Sequence, residues 1–135
     1  MAYNFLIAPD FSPERFAGWH MFNTLLQKRS GHDLHLITPA SHAEQEDSLA
    51  KDDIKVIYAN PFDAAKLIRE DGYRAIARPI GKSDEMTIIS SAGGNIKCLD
   101  DLNVGTKIAM ADNRDVKLIG LRLLEPVDLS EDDVE

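Results

Sequence analysis

Three places in this chain set a carboxylate or an amide where a helix is due to begin: Asp10-Phe11, Asn60-Pro61-Phe62 and Asp112-Asn113-Arg114. The free N–H groups of a helix start carry partial positive charge and suit an anion. The side chains argue the other way. Asp10, Glu14, Asp63, Asp112 and Asp115 gather at the same starts. They either satisfy the helix N-termini or receive an amine or other cationic group on a ligand. Arg114 is the base in those turns and suits an anionic group. Phe11 and Phe62 are candidates for a pocket wall, or for core. Ser90 and Ser91 offer polar contacts to a ligand or hydrogen bonds at a hinge, and Gly93-Gly94 gives the backbone freedom of a hinge or a plain turn.

Other chemistry finds less to stand on. His32 and His35 lie close together but have no cysteine or acidic cluster beside them, so no metal site is expected. His20 falls within one helix and His42 early in another, and neither is placed as a catalytic group. No nucleophile elbow, Ser-His-Asp order or glycine-rich phosphate loop is present. The chain is therefore expected to bind without catalysis and without a cofactor. Its lone Cys98 excludes an internal disulfide and reads as an ordinary half-buried thiol.

The elements that must position these residues are legible in order. The apolar run 54–59 ends at Asn60-Pro61, a good N-cap followed by a residue suited to the first helical position. A helix over 61–70 follows, then the Asp71-Gly72 turn and a predicted strand over 73–79. Upstream, residues 3–8 read as a buried strand. Ser12-Pro13-Glu14 opens a helix to Ser30, and Gly31 ends it. Phe16, Trp19, Phe22 and Leu26, with Ala17, Met21 and Leu25 beside them, form a wide apolar stripe expected to pack in the core. Residues 34–38 make a second strand, and Ser41 with Glu44 forms a capping box for a short polar helix to Ala50. This alternation predicts a largely parallel sheet flanked by helices. A helix that starts where a strand ends faces the crevice at the sheet's carboxyl edge, where open α/β folds bind ligands.

Past Gly81 the pattern changes. Strands are expected over 85–91 and 106–111, a short helix over 96–102 and a longer one over 116–124. Asp128-Leu129-Ser130-Glu131 looks like the cap of a further element. The expected organisation is a first α/β lobe over 1–80, a crossover or hinge over 81–94, and a partial second lobe with an acidic tail over 95–135.

Bulk composition narrows the function. Hydrophobic residues make up 44% and charged residues 28%, the balance of a globular domain. The net charge is −8, and six of the acids, with no base, lie between Glu125 and Glu135. The remainder is nearly neutral and has no basic stripe, so a nucleic-acid partner is not expected. No apolar run reaches the length of a membrane span. No secretory signal is visible, so the expected compartment is periplasmic if a signal was removed and cytoplasmic otherwise.

Several of these features occur together in a known family. They are the opening strand with Ala8-Pro9, the long helix to Gly31, the run into Asn60-Pro61, and Asp71-Gly72-Tyr73. The crossover at 87–91 adds to them, as does Ile96 followed by Leu99-Asp100-Asp101-Leu102 and Lys107-Ile108-Ala109. With them the chain resembles the N-terminal half of a type II periplasmic binding protein. It is most similar to the phosphate, phosphite and phosphonate substrate-binding components of ABC transporters. The resemblance implies a solute-binding protein or sensor domain whose two lobes close on a small phosphonate-like or amine-bearing anion by hinge motion, with an ABC permease as partner. It departs at Asp112-Asn113-Arg114-Asp115, where phosphonate-type members carry a serine- and threonine-rich turn, so oxyanion specificity does not carry over. The expected ligand contacts are Asp10, Phe11, Asn60, Phe62, Ser90, Ser91, Asp112, Asn113 and Arg114. Two other outcomes fit the same scaffold: a cytosolic biosynthetic enzyme of the menaquinone or thiamine-precursor type, and an interaction module in which the half-lobe forms a homodimer across an exposed sheet edge.

Overall fold

The computed structural model describes residues 2–83, 85–111 and 113–134. The chain divides into two compact units, Met1–Tyr73 and Arg74–Glu135.

The first unit is built around one strand. β1 (Tyr3–Ile7), β2 (Leu34–Ile37) and β3 (Ile54–Tyr58) form a parallel sheet in the order β2-β1-β3. β1 pairs Phe5 with Leu36 on one side and Val56 on the other, with a register irregularity between Asn4 and Phe5 on the β3 side. A strand paired on both edges must be apolar where both its faces are covered. Phe5, Leu6, Ile7 and Ala8 are all buried, and Leu6 is wholly inaccessible. Sequence order and spatial order differ: the chain leaves β1 for one edge, then crosses to the other. That reversal is a topological switch point.

The helices start mostly where local signals place them. α2 (His42–Lys51) is capped by Ser41, whose Oγ accepts the Glu44 N–H at 3.2 Å. The Glu44 carboxylate reaches back to the Ala40 N–H at 2.8 Å, one residue before the partner a capping box uses. α3 (Pro61–Glu70) begins at Asn60, whose Oδ1 accepts the Asp63 N–H at 2.8 Å. α1 (Phe16–Ser30) starts later than expected. A 3-10 turn, Pro13–Arg15, precedes it, Arg15 holds the cap position without a side-chain bond, and the Ser12 hydroxyl turns to Glu14 instead. Gly31 ends α1 in the left-handed region at φ 71°, its N–H bonded to Gln27, a conformation glycine adopts without strain.

The apolar stripe of α1 is less buried than its spacing suggests. Trp19 packs edge-on against Phe5 and Phe11 and tilted against Tyr58. Met21, Phe22 and Leu25 stay exposed. The buried residue of this helix is Asn23, whose amide donates to the Leu34 carbonyl at the start of β2. This polar tie and the aromatic contacts of Trp19, rather than a broad apolar face, hold the helix there.

No ladder forms over 73–79. Tyr73 turns back instead: its N–H bonds the Leu67 carbonyl and its hydroxyl donates to the Ile54 carbonyl at 2.9 Å. The apolar residues beyond it, Ile76 and Ile80, are almost fully exposed.

The second unit packs without a sheet among its described residues. Leu102, Leu124 and Leu129 form its core, with Ile88, Ile96, Ile108, Leu121, Val127 and Val134 against it. The segments 85–91 and 106–111 show strand-like alternation, Ile88 packed inward and Ile89 exposed, but they find no ladder neighbour. Thr106 alone makes an isolated parallel bridge, to Val134. The expected helix over 96–102 reduces to one 3-10 turn, Leu99–Asp101. α4 (Arg114–Leu124) forms with Asn113 as its cap. The acidic end is folded rather than loose: Leu129 is buried, Glu131 pairs with Lys117, and the Ser130 N–H and hydroxyl bond the Asp133 carboxylate.

Leu6→Ala is expected to cost about 2–5 kcal/mol in urea unfolding, whereas Ile89→Ala is expected to stay within about 0.5 kcal/mol because it removes no packing. The Asp101 carboxyl is held below its usual range chiefly by the Lys97 N–H, then by the Cys98 N–H and thiol. Its ordering effect on the 97–101 turn is therefore present at neutral pH and is lost as the pH falls through that lowered value. Amide exchange protection at Lys97 and Cys98, followed against pH, checks the sign.

Candidate functional site

The three strands of the first unit all leave at the same edge, and the residues following them meet there. Asp10 follows β1, His42 and Gln45 follow β2, and Asn60 and Asp63 follow β3. Asn60 links two of these exits directly. Its Nδ2 donates to Asp10 Oδ2 at 3.0 Å and lies 3.3 Å from Asp63 Oδ2. Gln45 Nε2 donates to the same Asp63 oxygen at 2.9 Å. Asp63 and Gln45 are buried, at 3% and 2% exposure, and amide donors around a buried carboxylate lower the cost of its charge.

His42 completes the group. Nε2 stands 3.5 Å from Asp10 Oδ1 and Nδ1 3.8 Å from Asp63 Oδ2. The Asp10 side chain is 17% exposed and that of His42 18%, so both reach the surface while Asp63 is buried.

The structure sorts the expected contact residues. Asp10 and Asn60 are joined by a hydrogen bond. Phe62 is part-exposed in the first turn of α3. Phe11 belongs to an aromatic group, 5.1 Å from Trp19 and 5.7 Å from Tyr58 between ring centres, which gives it a packing role. In the second unit, Asn113 Oδ1 accepts the N–H groups of Asp115 and Val116 at the start of α4, and Arg114 is that helix's first residue. Ser90 donates to the Ile96 carbonyl at 2.8 Å, and the Ser91 carbonyl accepts from the Gly94 N–H. These bonds tighten a turn. A Cβ at Gly94 would come within 3.2 Å of the Ser91 carbonyl, which favours glycine there. Asp112 lies outside the described residues. Cys98 is exposed rather than half-buried, its thiol directed at Asp101.

Sequence reasoning missed His42, Gln45 and the part Asp63 plays. His42 is the first residue of α2, directly after its cap, so it does stand at a helix start. The signal was available: if residues after β1 and β3 share the carboxyl edge of a parallel sheet, those after β2 share it too.

The second unit holds a separate apolar cavity of about 730 Å³, lined mainly by residues of its core and by the two unladdered segments. It has no comparable cluster of polar groups among the described residues.

A parallel sheet with a switch point and a polar cluster at its carboxyl edge defines a small-molecule binding α/β domain. A family model for the periplasmic substrate-binding protein of phosphonate ABC transporters matches residues 5–134. The chain belongs to that family, and its role is that of a solute-binding component. Comparisons with curated proteins and with solved structures gave no match.

Asn60→Ala is expected to destabilise the protein by about 1–2 kcal/mol as the loss of an N-cap, and by more than Ser41→Ala does. The difference arises because Asn60 also donates to two carboxylates. Thermal or urea unfolding of the two variants side by side measures it.

Proposed function

We propose that this chain binds a small phosphonate-type anion that also carries an amine, that it does so without chemical change, and that it serves an ABC permease. The observation that carries this reading is the Asp10–Asn60 pair at the switch point of a chain belonging to the phosphonate-binding family. Family membership supports the anion. The part-exposed carboxylate of Asp10 supports the amine. Oppositely charged groups on one ligand suit a site where helix-start N–H groups and an acid occur together. Phe62, part-exposed one residue from Pro61, offers an apolar surface beside them.

Isothermal titration with methylphosphonate, an aminoalkylphosphonate and inorganic phosphate tests the reading. The aminoalkylphosphonate is expected to bind most tightly. Asp10→Asn is expected to weaken it by about tenfold, roughly 1.4 kcal/mol, with little change for methylphosphonate. Absence of heat with all three compounds would overturn the proposal. Equal loss for both phosphonates would remove the amine from it.

A further inference from the structure

The three-stranded sheet of the first unit has two outer strands, β2 on one side and β3 on the other. The backbone of an outer strand is a template for pairing with another chain. The two edges are defended differently. β3 carries Lys55, paired with Asp53, and its pairing with β1 is interrupted by a register irregularity. Charge and local irregularity both discourage edge pairing. β2, Leu34–Ile37, has no lysine, no proline and a regular register. It has the side chain of Asn23 instead.

The ladder shows which groups of β2 face outward. The Tyr3 N–H bonds the Asp33 carbonyl, and Tyr3 stands opposite Leu34. In a parallel pair, successive residues turn their N–H and C=O alternately toward the neighbouring strand and away from it. Asp33 and His35 therefore address β1, while Leu34 and Leu36 present their groups to the far side. The Leu34 carbonyl is the first acceptor of β2 on that side, and Asn23 Nδ2 takes it at 3.2 Å.

Stability does not explain the choice of residue. Asn23 is 7% exposed, and its Oδ1 is buried with no hydrogen-bond partner among the described residues. A buried acceptor left unsatisfied is unfavourable, and asparagine is a poorer helix former than leucine. Phe16, Trp19 and Leu26 lie on the same face of α1 at helical spacing, so an apolar side chain would suit these surroundings better. What asparagine adds is a donor directed at the main chain of the edge strand.

We infer that Asn23 guards this edge: its side-chain amide stands in for a neighbouring strand and keeps β2 from pairing with the same edge of a second copy of this chain. An incoming strand would need the Leu34 carbonyl as an acceptor, and the amide already occupies it. The inference concerns the first unit alone and does not depend on the proposed ligand.

The test sets stability against association. Asn23→Leu removes the donor and keeps a side chain of similar shape. Its urea unfolding midpoint is expected to match or exceed that of the native protein. Its sedimentation coefficient, measured without urea, is expected to rise with concentration more steeply than the native protein's. In the associated form the outward Leu36 N–H is expected to gain protection from hydrogen exchange. A lower midpoint with native-like sedimentation would make Asn23 a packing residue and overturn the inference. Association without a gain at Leu36 would count equally against it. If leucine cannot be packed and the variant does not fold, Asn23→Ala takes its place, with the same association and exchange expected at a lower midpoint. If neither folds, the native protein decides. A scalar coupling across the hydrogen bond, from the Asn23 side-chain nitrogen to the Leu34 carbonyl carbon, is expected, and its absence would sink the inference.

Discussion

The side chain of Asn60 is the joint on which the ligand end of the first unit depends. Its oxygen caps α3 through the Asp63 N–H, and its nitrogen reaches Asp10 and the Asp63 carboxylate. One amide thereby fixes a helix start, the loop after the central strand, and a buried charge. These three tasks have opposite requirements. A cap needs an acceptor, a carboxylate needs donors, and a buried charge needs both nearby without water. An amide supplies both kinds of group in a fixed geometry. Aspartate would keep the cap and repel the carboxylates.

The constraint behind that joint is the order β2-β1-β3. In a parallel sheet all three strands exit at one edge, and the central place of β1 sets its exit between the other two. Its apolar sequence stabilises the arrangement, since Phe5, Leu6, Ile7 and Ala8 are buried between neighbours. That buried carboxyl-terminal part of the strand leaves no polar side chain of its own for a ligand. Chemistry must come from the loop beyond its end, and Asp10 comes soon after β1 stops.

Much of this was legible because it is local. Ser41, Asn60, Asn113 and Ser130 were each readable as the start of an element, and each caps or opens one. Capping depends on residues three apart, so a short window contains the whole cause. Strands are different. The runs 73–79, 85–91 and 106–111 have the composition of strands, yet their state depends on a neighbour far away in sequence. Tyr73 illustrates the competition: its hydroxyl and N–H prefer the carbonyls of Ile54 and Leu67. The stripe on α1 misled for a related reason, since period alone does not say what a face meets, and Met21, Phe22 and Leu25 meet solvent. His42 was missed because its partners come from two other loops. The family, by contrast, was visible in a scatter of short segments, and the match over residues 5–134 bears it out.

The run beyond Tyr73 carries a cost that the fold itself hides. Ile76 and Ile80 stand almost fully in water, on backbone with no ladder, which is the kind of segment that recruits its own likeness into aggregates. Arg74 and Arg78 interrupt it with charge, and Pro79 withholds a backbone donor. Those residue types act as gatekeepers. Here they protect solubility rather than shape, so exchanging them for neutral residues would be felt first in the yield of dispersed protein.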